Sequence, residues 1–162
     1  MESMHPTAEE FADAAREEHG FEVEVHEFDD GTKTAAEAAE AIGCELAQIA
    51  SSLAFDVGGT LVVVVTSGAN RVSEGKLGAL RDVPADDVSM ADADRIKDRL
   101  GWSIGGVPPF CHDTRVPTYL DETLTDFDTV WAAAGTPDAV FPIDPETVRE
   151  TADATVVDIA VE

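Results

Sequence analysis

The sequence predicts a single α/β domain, residues 1–162, built on a mixed and strongly curved β-sheet flanked by helices. Three observations carry this expectation. Strand-like and helix-like segments interleave without a regular βαβ rhythm. Leu61-Val62-Val63-Val64-Val65 is continuously apolar, as in a strand covered on both faces. No internal repeat, linker or low-complexity tract divides the 162 residues, a length that buries a real core in one domain.

Each element carries its own punctuation. Thr7 and Glu10 form a capping-box pattern, Phe11 and Ala15 repeat at helical spacing, and Gly20 supplies a stop, which predicts a first helix. Residues 21–28 then alternate as a half-buried strand, and Asp29-Asp30-Gly31 is a turn. Thr34 and Glu37 repeat the capping-box pattern before an Ala-rich helix that ends at Gly43. Strands over 51–57 and 61–66 are joined at Gly58-Gly59 as a hairpin. Ser73 caps a short helix through Leu80, and a further helix over 92–100 stops at Gly101. Short strands follow at 118–121, 129–134 and 139–143. Asp144 as N-cap with Pro145 behind it opens a helix to about residue 152, and residues 156–161 alternate as a final strand.

Composition bounds the function. Apolar residues make up 44 % of the chain, which argues against disorder, and no run approaches the roughly twenty apolar residues of a membrane span. The first residues show no basic-then-apolar leader pattern, so the expected location is the cytoplasm. Thirty-four acidic residues face ten basic ones, a formal charge of −24, and the acids are spread along the whole chain. Only Lys33, Lys76 and Lys97 are lysines. This distribution reads as adaptation to molar salt, where a Debye length of roughly 3 Å screens surface self-repulsion. The alternative is an acidic protein of ordinary salt. Cys44 and Cys111 match no metal spacing and are expected to be reduced.

The most distinctive stretch is Gly105-Gly106-Val107-Pro108-Pro109-Phe110. Glycine permits positive φ and close approach, and proline fixes φ, so this loop can hold bare amides toward a ligand in one geometry. A tight turn alone is the simpler reading of an isolated Gly-Gly. Other segments stand in order around the loop: Thr34-Ala35-Ala36-Glu37-Ala38-Ala39, Gln48-Ile49-Ala50-Ser51-Ser52-Leu53, and Val65-Thr66-Ser67-Gly68-Ala69-Asn70-Arg71-Val72. Asp121-Glu122 and Trp131-Ala132-Ala133-Ala134-Gly135-Thr136-Pro137 follow it.

Taken together, these segments resemble the YbaK/ProX family of aminoacyl-tRNA deacylases, which also occurs as an editing insertion in some prolyl-tRNA synthetases. The resemblance runs from about Thr34 to Val148. It implies a barrel-like mixed sheet, a cleft beside the Gly-Gly loop, and hydrolysis of the ester joining a small mischarged amino acid to tRNA. It implies no cofactor and no metal. The implied partner is aminoacyl-tRNA, met at its terminal adenosine and amino acid, with transient synthetase contact and neither DNA nor membrane. Members are thought to use no protein nucleophile, the substrate's own ribose hydroxyl helping to activate water while the protein positions and stabilises charge. Carried onto this chain, the expected catalytic residues are Ser51, Gly105 and Gly106. The expected substrate-binding residues are Thr34, Lys33, Asn70, Arg71, Pro108, Phe110, His112 and Ala133.

Two positions depart from the family pattern. The second signature reads Gln-Ile-Ala-Lys-Ser-Leu in the family, and its lysine position is Ser51 here. Serine keeps a hydrogen-bonding group but loses the charge and the reach. Ser51 then positions water or the ribose hydroxyl with Lys33, Lys76 or Arg71 supplying charge, or the protein binds aminoacyl-tRNA without hydrolysing it, or its substrate is another small ester. At Ala133, where some members carry serine, the Ala132-Ala133-Ala134 wall is small and apolar, as in the subgroup associated with alanine or serine.

Rival chemistries use the same residues. Ser51 with His112 and Asp113 or Asp121 makes a hydrolase triad on paper, but Ser51 lacks the Gly-x-Ser-x-Gly elbow. Cys111-His112-Asp113 suggests a metal, but consecutive residues on extended chain point to alternate sides. With no basic stripe, tRNA recognition would rest on stacking against Phe110 or Trp102 and on hydrogen bonds.

Overall fold

The computed structural model describes residues 6–20, 22–28, 35–136 and 138–161. Local signals set most of its elements. The first helix, α1 (Pro6–His19), buries Ala8, Phe11 and Ala15 on one stripe. It begins at Pro6, so Thr7 lies inside the first turn and does not cap it. Strand β1 is only His26–Glu27, shorter than the alternation over 21–28 suggests, and α2 spans Ala35–Ile42. The proposed cap at Thr34 and the turn at 29–31 lie outside the described residues.

The hairpin is as expected: β2 (Ile49–Val57) and β3 (Thr60–Ser67) pair antiparallel from Ala50↔Ser67 to Val57↔Thr60. Asp56 closes its turn by accepting from the Gly59 amide at 2.8 Å and pairs with Arg95, tying the hairpin to the next layer. Ser73 caps α3 (Glu74–Leu80) by accepting from the Lys76 amide. A short strand that the sequence did not signal, β4 (Val88–Met90), precedes α4 (Ala93–Leu100). That helix is capped by Asp92 and stopped by Gly101 at φ +85°. The remaining elements are β5 (Thr118–Asp121), β6 (Val130–Ala133), β7 (Ala139–Ile143), α5 (Pro145–Ala152) and β8 (Thr155–Val157). Asp144 caps α5 with Pro145 behind it. β8 is three residues long, and the alternation over 156–161 ends instead in an isolated bridge between Val72 and Ala160.

One eight-stranded mixed sheet organises the molecule in the order β1-β7-β6-β2-β3-β5-β8, with β4 also on β2. β3 runs through its centre, and Val62, Val63, Val64 and Val65 are fully buried. Leu61, Val63 and Val65 face a large core shared with α1 and α4, while Val62 and Val64 face a second core with Leu77 of α3. This is the two-sided cover that the apolar run demanded.

The pairing leaves a gap that matters for function. Along its whole length one edge of β2 is held by β3. The other edge meets β6 only at Ile49 and Ala50, and β4 only at Phe55, Asp56 and Val57. Among the described residues, 51–53 therefore have no partner strand on that edge, and the Ala54 carbonyl accepts from the Ala91 amide at 3.0 Å. Among the described residues no helix is long and apolar enough to cross a membrane.

Candidate functional site: an apolar cleft on the open edge of β2

A cleft of about 230 Å³ opens where the ladder is interrupted. β2 supplies Ser51, Ser52 and Leu53, α2 supplies Ala35 and Ala38, and α4 supplies Ile96. The loop after α4 brings Ile104, Gly105 and Val107, and β6 brings Trp131 and Ala133. The sequence expectation thus meets the structure at three residues: Ser51, Gly105 and Ala133 line one cavity although they are far apart in the chain. Met90 and Ile104, about half exposed at 50 % and 51 %, form an apolar rim.

The two glycines have different tasks. Gly105 sits at the cleft with φ +88°, in the left-handed region open to glycine. Gly106 is buried and does not line the cleft. Its amide donates to the Ser103 carbonyl at 3.0 Å, and a Cβ there would stand 2.7 Å from the Thr136 Cα and 2.9 Å from the Gly135 oxygen. Gly106 is glycine because backbone packs on backbone; its amide is committed within the loop.

Several expected substrate contacts prove to be structural. Phe110 is 2 % exposed and packs on Phe11 and Phe141 with ring centroids 5.6 and 5.9 Å away, so it offers no stacking surface. Trp102 is buried likewise, its indole N–H donating to the Cys111 carbonyl at 2.9 Å. Pro108 is buried, and its carbonyl accepts from His112 Nε2 at 2.7 Å. Burial holds the His112 imidazole below its ordinary pKa, partly offset by that hydrogen bond, so the ring is neutral and protonated on Nε2. His112 lies away from the cleft, and no His or Asp lines it among the described residues. The triad reading therefore has no geometry.

Asn70 belongs to a buried knot. The Asp121 carboxylate accepts from Thr66 Oγ1 at 3.2 Å, the Ser67 amide at 3.1 Å, Asn70 Nδ2 at 3.0 Å and the Thr123 amide at 3.0 Å. Burial pushes this carboxyl up, but the donors outweigh it and hold the pKa below the ordinary value. Arg71 is exposed and its carbonyl accepts from the Val161 amide. Lys76 reaches Asp158 at 3.0 Å and the Ala160 carbonyl at 2.8 Å, pinning the C-terminal segment. Lys33 and Thr34 lie outside the described residues. Among the described residues that line the cleft, none is a lysine or arginine.

Sequence reasoning passed over two groups here. Trp131, with His26 edge-on at 5.1 Å, is the aromatic that lines the cleft. Ser52 Oγ is buried with no hydrogen-bond partner among the described residues. An unsatisfied buried hydroxyl costs about 1–3 kcal/mol. It lies in the cleft wall beside Ser51.

Comparison with known proteins decides the family. Residues 29–151 match the model of the aminoacyl-tRNA editing domain. The chain belongs to that family. Membership makes aminoacyl-tRNA editing its functional class and deacylation the chemistry of that class. The editing-domain chain is 33 % identical over 132 residues to YwhH of Bacillus subtilis (strain 168), described as uncharacterised, covering 80 % of this chain and 81 % of that one. Its fold superposes with TM-score 0.92 and 36 % identity on a candidate trans-editing enzyme for prolyl-tRNA synthetase, over 99 % and 100 % of the two chains. The hypothetical protein APE2540 shares the fold at TM-score 0.82 and 24 % identity, over 93 % and 99 %.

Proposed function

We propose that residues 1–162 work as one cytoplasmic trans-editing domain, hydrolysing the ester between a small mischarged amino acid and the terminal ribose of tRNA. The observation that carries this reading is the meeting of Ser51, Ser52, Gly105 and Ala133 around one otherwise apolar cavity. In it the Gly105 amide donates to the ester carbonyl oxygen as that oxygen gains charge. Such a donor in a water-poor site is worth roughly 3 kcal/mol. Ser51 orders the attacking water or the ribose hydroxyl. The small Ala133 wall sets the size of the side chain admitted, at roughly 1–3 kcal/mol per methylene. Trp131 and the Met90–Ile104 rim give the terminal adenosine an apolar surface to rest on. The resemblance to a candidate partner of prolyl-tRNA synthetase makes proline tRNA the first to test, with transient synthetase contact. The charge of −24 supports high salt as the condition in which to test these steps.

A second reading, a binder of aminoacyl-tRNA that does not hydrolyse it, has one observation in its favour: the described lining carries no cation. A panel of mischarged tRNAs in molar KCl separates the two. Amino-acid release by the wild type, diminished by Ser51→Ala, supports the deacylase. Binding without release, with release gained by Ser51→Lys, supports the binder. Turnover of simple esters alone would defeat both.

A further inference from the structure

Cys111 holds φ +66°, a left-handed conformation that costs a residue with a Cβ roughly 1–2 kcal/mol. Asp82 and Asp153 share that region, but aspartate eases it with local hydrogen bonds, as cysteine does not. The residue closes the segment that began at Gly105, and the Trp102 indole pins its carbonyl. Its thiol meets the end of α1, where the ligating atoms of Glu18, His19 and Cys111 all lie within 4.8 Å of one another. His19 stands edge-on to Phe110, ring centroids 5.5 Å apart. These residues border a second cavity of about 590 Å³ that shares no lining residue with the cleft.

We propose that Glu18, His19 and Cys111 bind one divalent transition-metal ion of the zinc type, joining α1 to the end of the cleft loop. Thiolate, imidazole and carboxylate together suit zinc, whereas magnesium and calcium take oxygen donors. Zinc lies about 2.0–2.3 Å from such donors, which sets tetrahedral donors roughly 3.3–3.8 Å apart. Glu18 and His19 are exposed side chains and close the remaining ångström or so by rotation about their own bonds. Three protein donors leave a fourth position for water from the cavity. His112 does not belong to this group of donor atoms; its Nε2 donates to the Pro108 carbonyl. Nor is Cys111 a nucleophile: burial, aided by the Glu18 charge, pushes its thiol up to about 12. A bound cation would displace that proton. Occupancy would brace, from behind, the loop that carries Gly105 into the cleft.

The test uses the full chain in high salt, stripped with a chelator and titrated with Co²⁺. One equivalent is expected to bind with a thiolate-to-cobalt charge-transfer band and the strong visible bands of four-coordination, both removed by Zn²⁺. Cys44→Ser keeps the spectrum and Cys111→Ser loses the charge-transfer band. His19→Ala, at an exposed helix end, weakens Co²⁺ binding at least tenfold, with far-UV circular dichroism confirming that the variant is folded. Zn²⁺ also raises the Tm of the wild type but not of Cys111→Ser. Diffuse multi-site binding without a thiolate band overturns the proposal. So does a band that survives Cys111→Ser, or cobalt affinity unchanged in His19→Ala. None of these readouts depends on deacylation.

Discussion

Two polar groups in the same sheet, on the strands that flank β3, have opposite fates. The Asp121 carboxylate, at the end of β5, gathers donors from Thr66, Ser67, Asn70 and Thr123. The Ser52 hydroxyl, in the middle of β2, has none among the described residues. Both are shielded from water, where an unmade hydrogen bond costs about 1–3 kcal/mol. The saturated group holds the fold together, because its donors join the end of β3 and the loop after it to the turn that follows β5. The unsatisfied one is tolerated where the sheet edge opens on a cavity that can admit a partner. Saturation, more than residue type, distinguishes structure from site here.

The largest effect should come from breaking the saturated side. Asp121→Ala strands several buried donors and is expected to cost about 3 kcal/mol or more, read by urea unfolding in high salt. Acid probes the same knot. The folded pKa of Asp121 lies below its unfolded value, so its contribution is complete above the unfolded value and is lost as pH falls through the folded one. His112, held neutral by burial, works in the same direction, its contribution fading as pH falls below the ordinary imidazole value. Wild-type stability should therefore drop in acid. Asp121→Asn should show a shallower drop, and equal slopes for the two proteins would mean the carboxylate is not what titrates.

Gly106→Ala comes next, and it sharpens the comparison by moving the cleft loop from behind. The added methyl would lie 2.7 Å from the Thr136 Cα, where neither backbone can yield cheaply. About 2 kcal/mol of stability should be lost. Displacing the Gly105 amide by even an ångström should lower deacylation about a hundredfold. Normal turnover in a destabilised Gly106→Ala protein would show that the loop does not position the ester.

How far the sequence disclosed all this depended on distance along the chain. Ser73, Asp92 and Asp144 cap helices through bonds to residues three positions on, and the apolar run at 61–65 announces a central strand by itself. Such signals are local and legible. The gap on β2 is not local, since it exists only because β6 stops at Ala50 and β4 starts at Phe55. β4, three residues long, gave no periodic signal, and with it went Met90 at the rim. Phe110 and Trp131 were exchanged for the same reason. A loop aromatic has no periodicity to assign its face, and only packing against Phe11 and Phe141 puts Phe110 in the core. Within the Gly-Gly motif, which glycine lines the cleft depends on how close Thr136 comes to Gly106.

The smallest expected effect is the most discriminating. Ser52→Ala removes a buried hydroxyl that pairs with nothing among the described residues, so it should leave stability unchanged or raise it by up to about 1 kcal/mol. If the hydroxyl pairs with substrate, the same change should lower deacylation about tenfold, the loss of one neutral hydrogen bond at a site otherwise intact. Ser51→Ala makes the natural companion, because Ser51 and Ser52 follow one another on β2 and line the same cavity. Unequal losses in the two variants would assign the water-ordering role to one serine, and non-additive losses in the double variant would mean they hold the same group. A Ser52→Ala protein that is destabilised yet fully active would place Ser52 with Asp121 on the structural side, and the distinction between saturated and open polar groups would not describe this molecule.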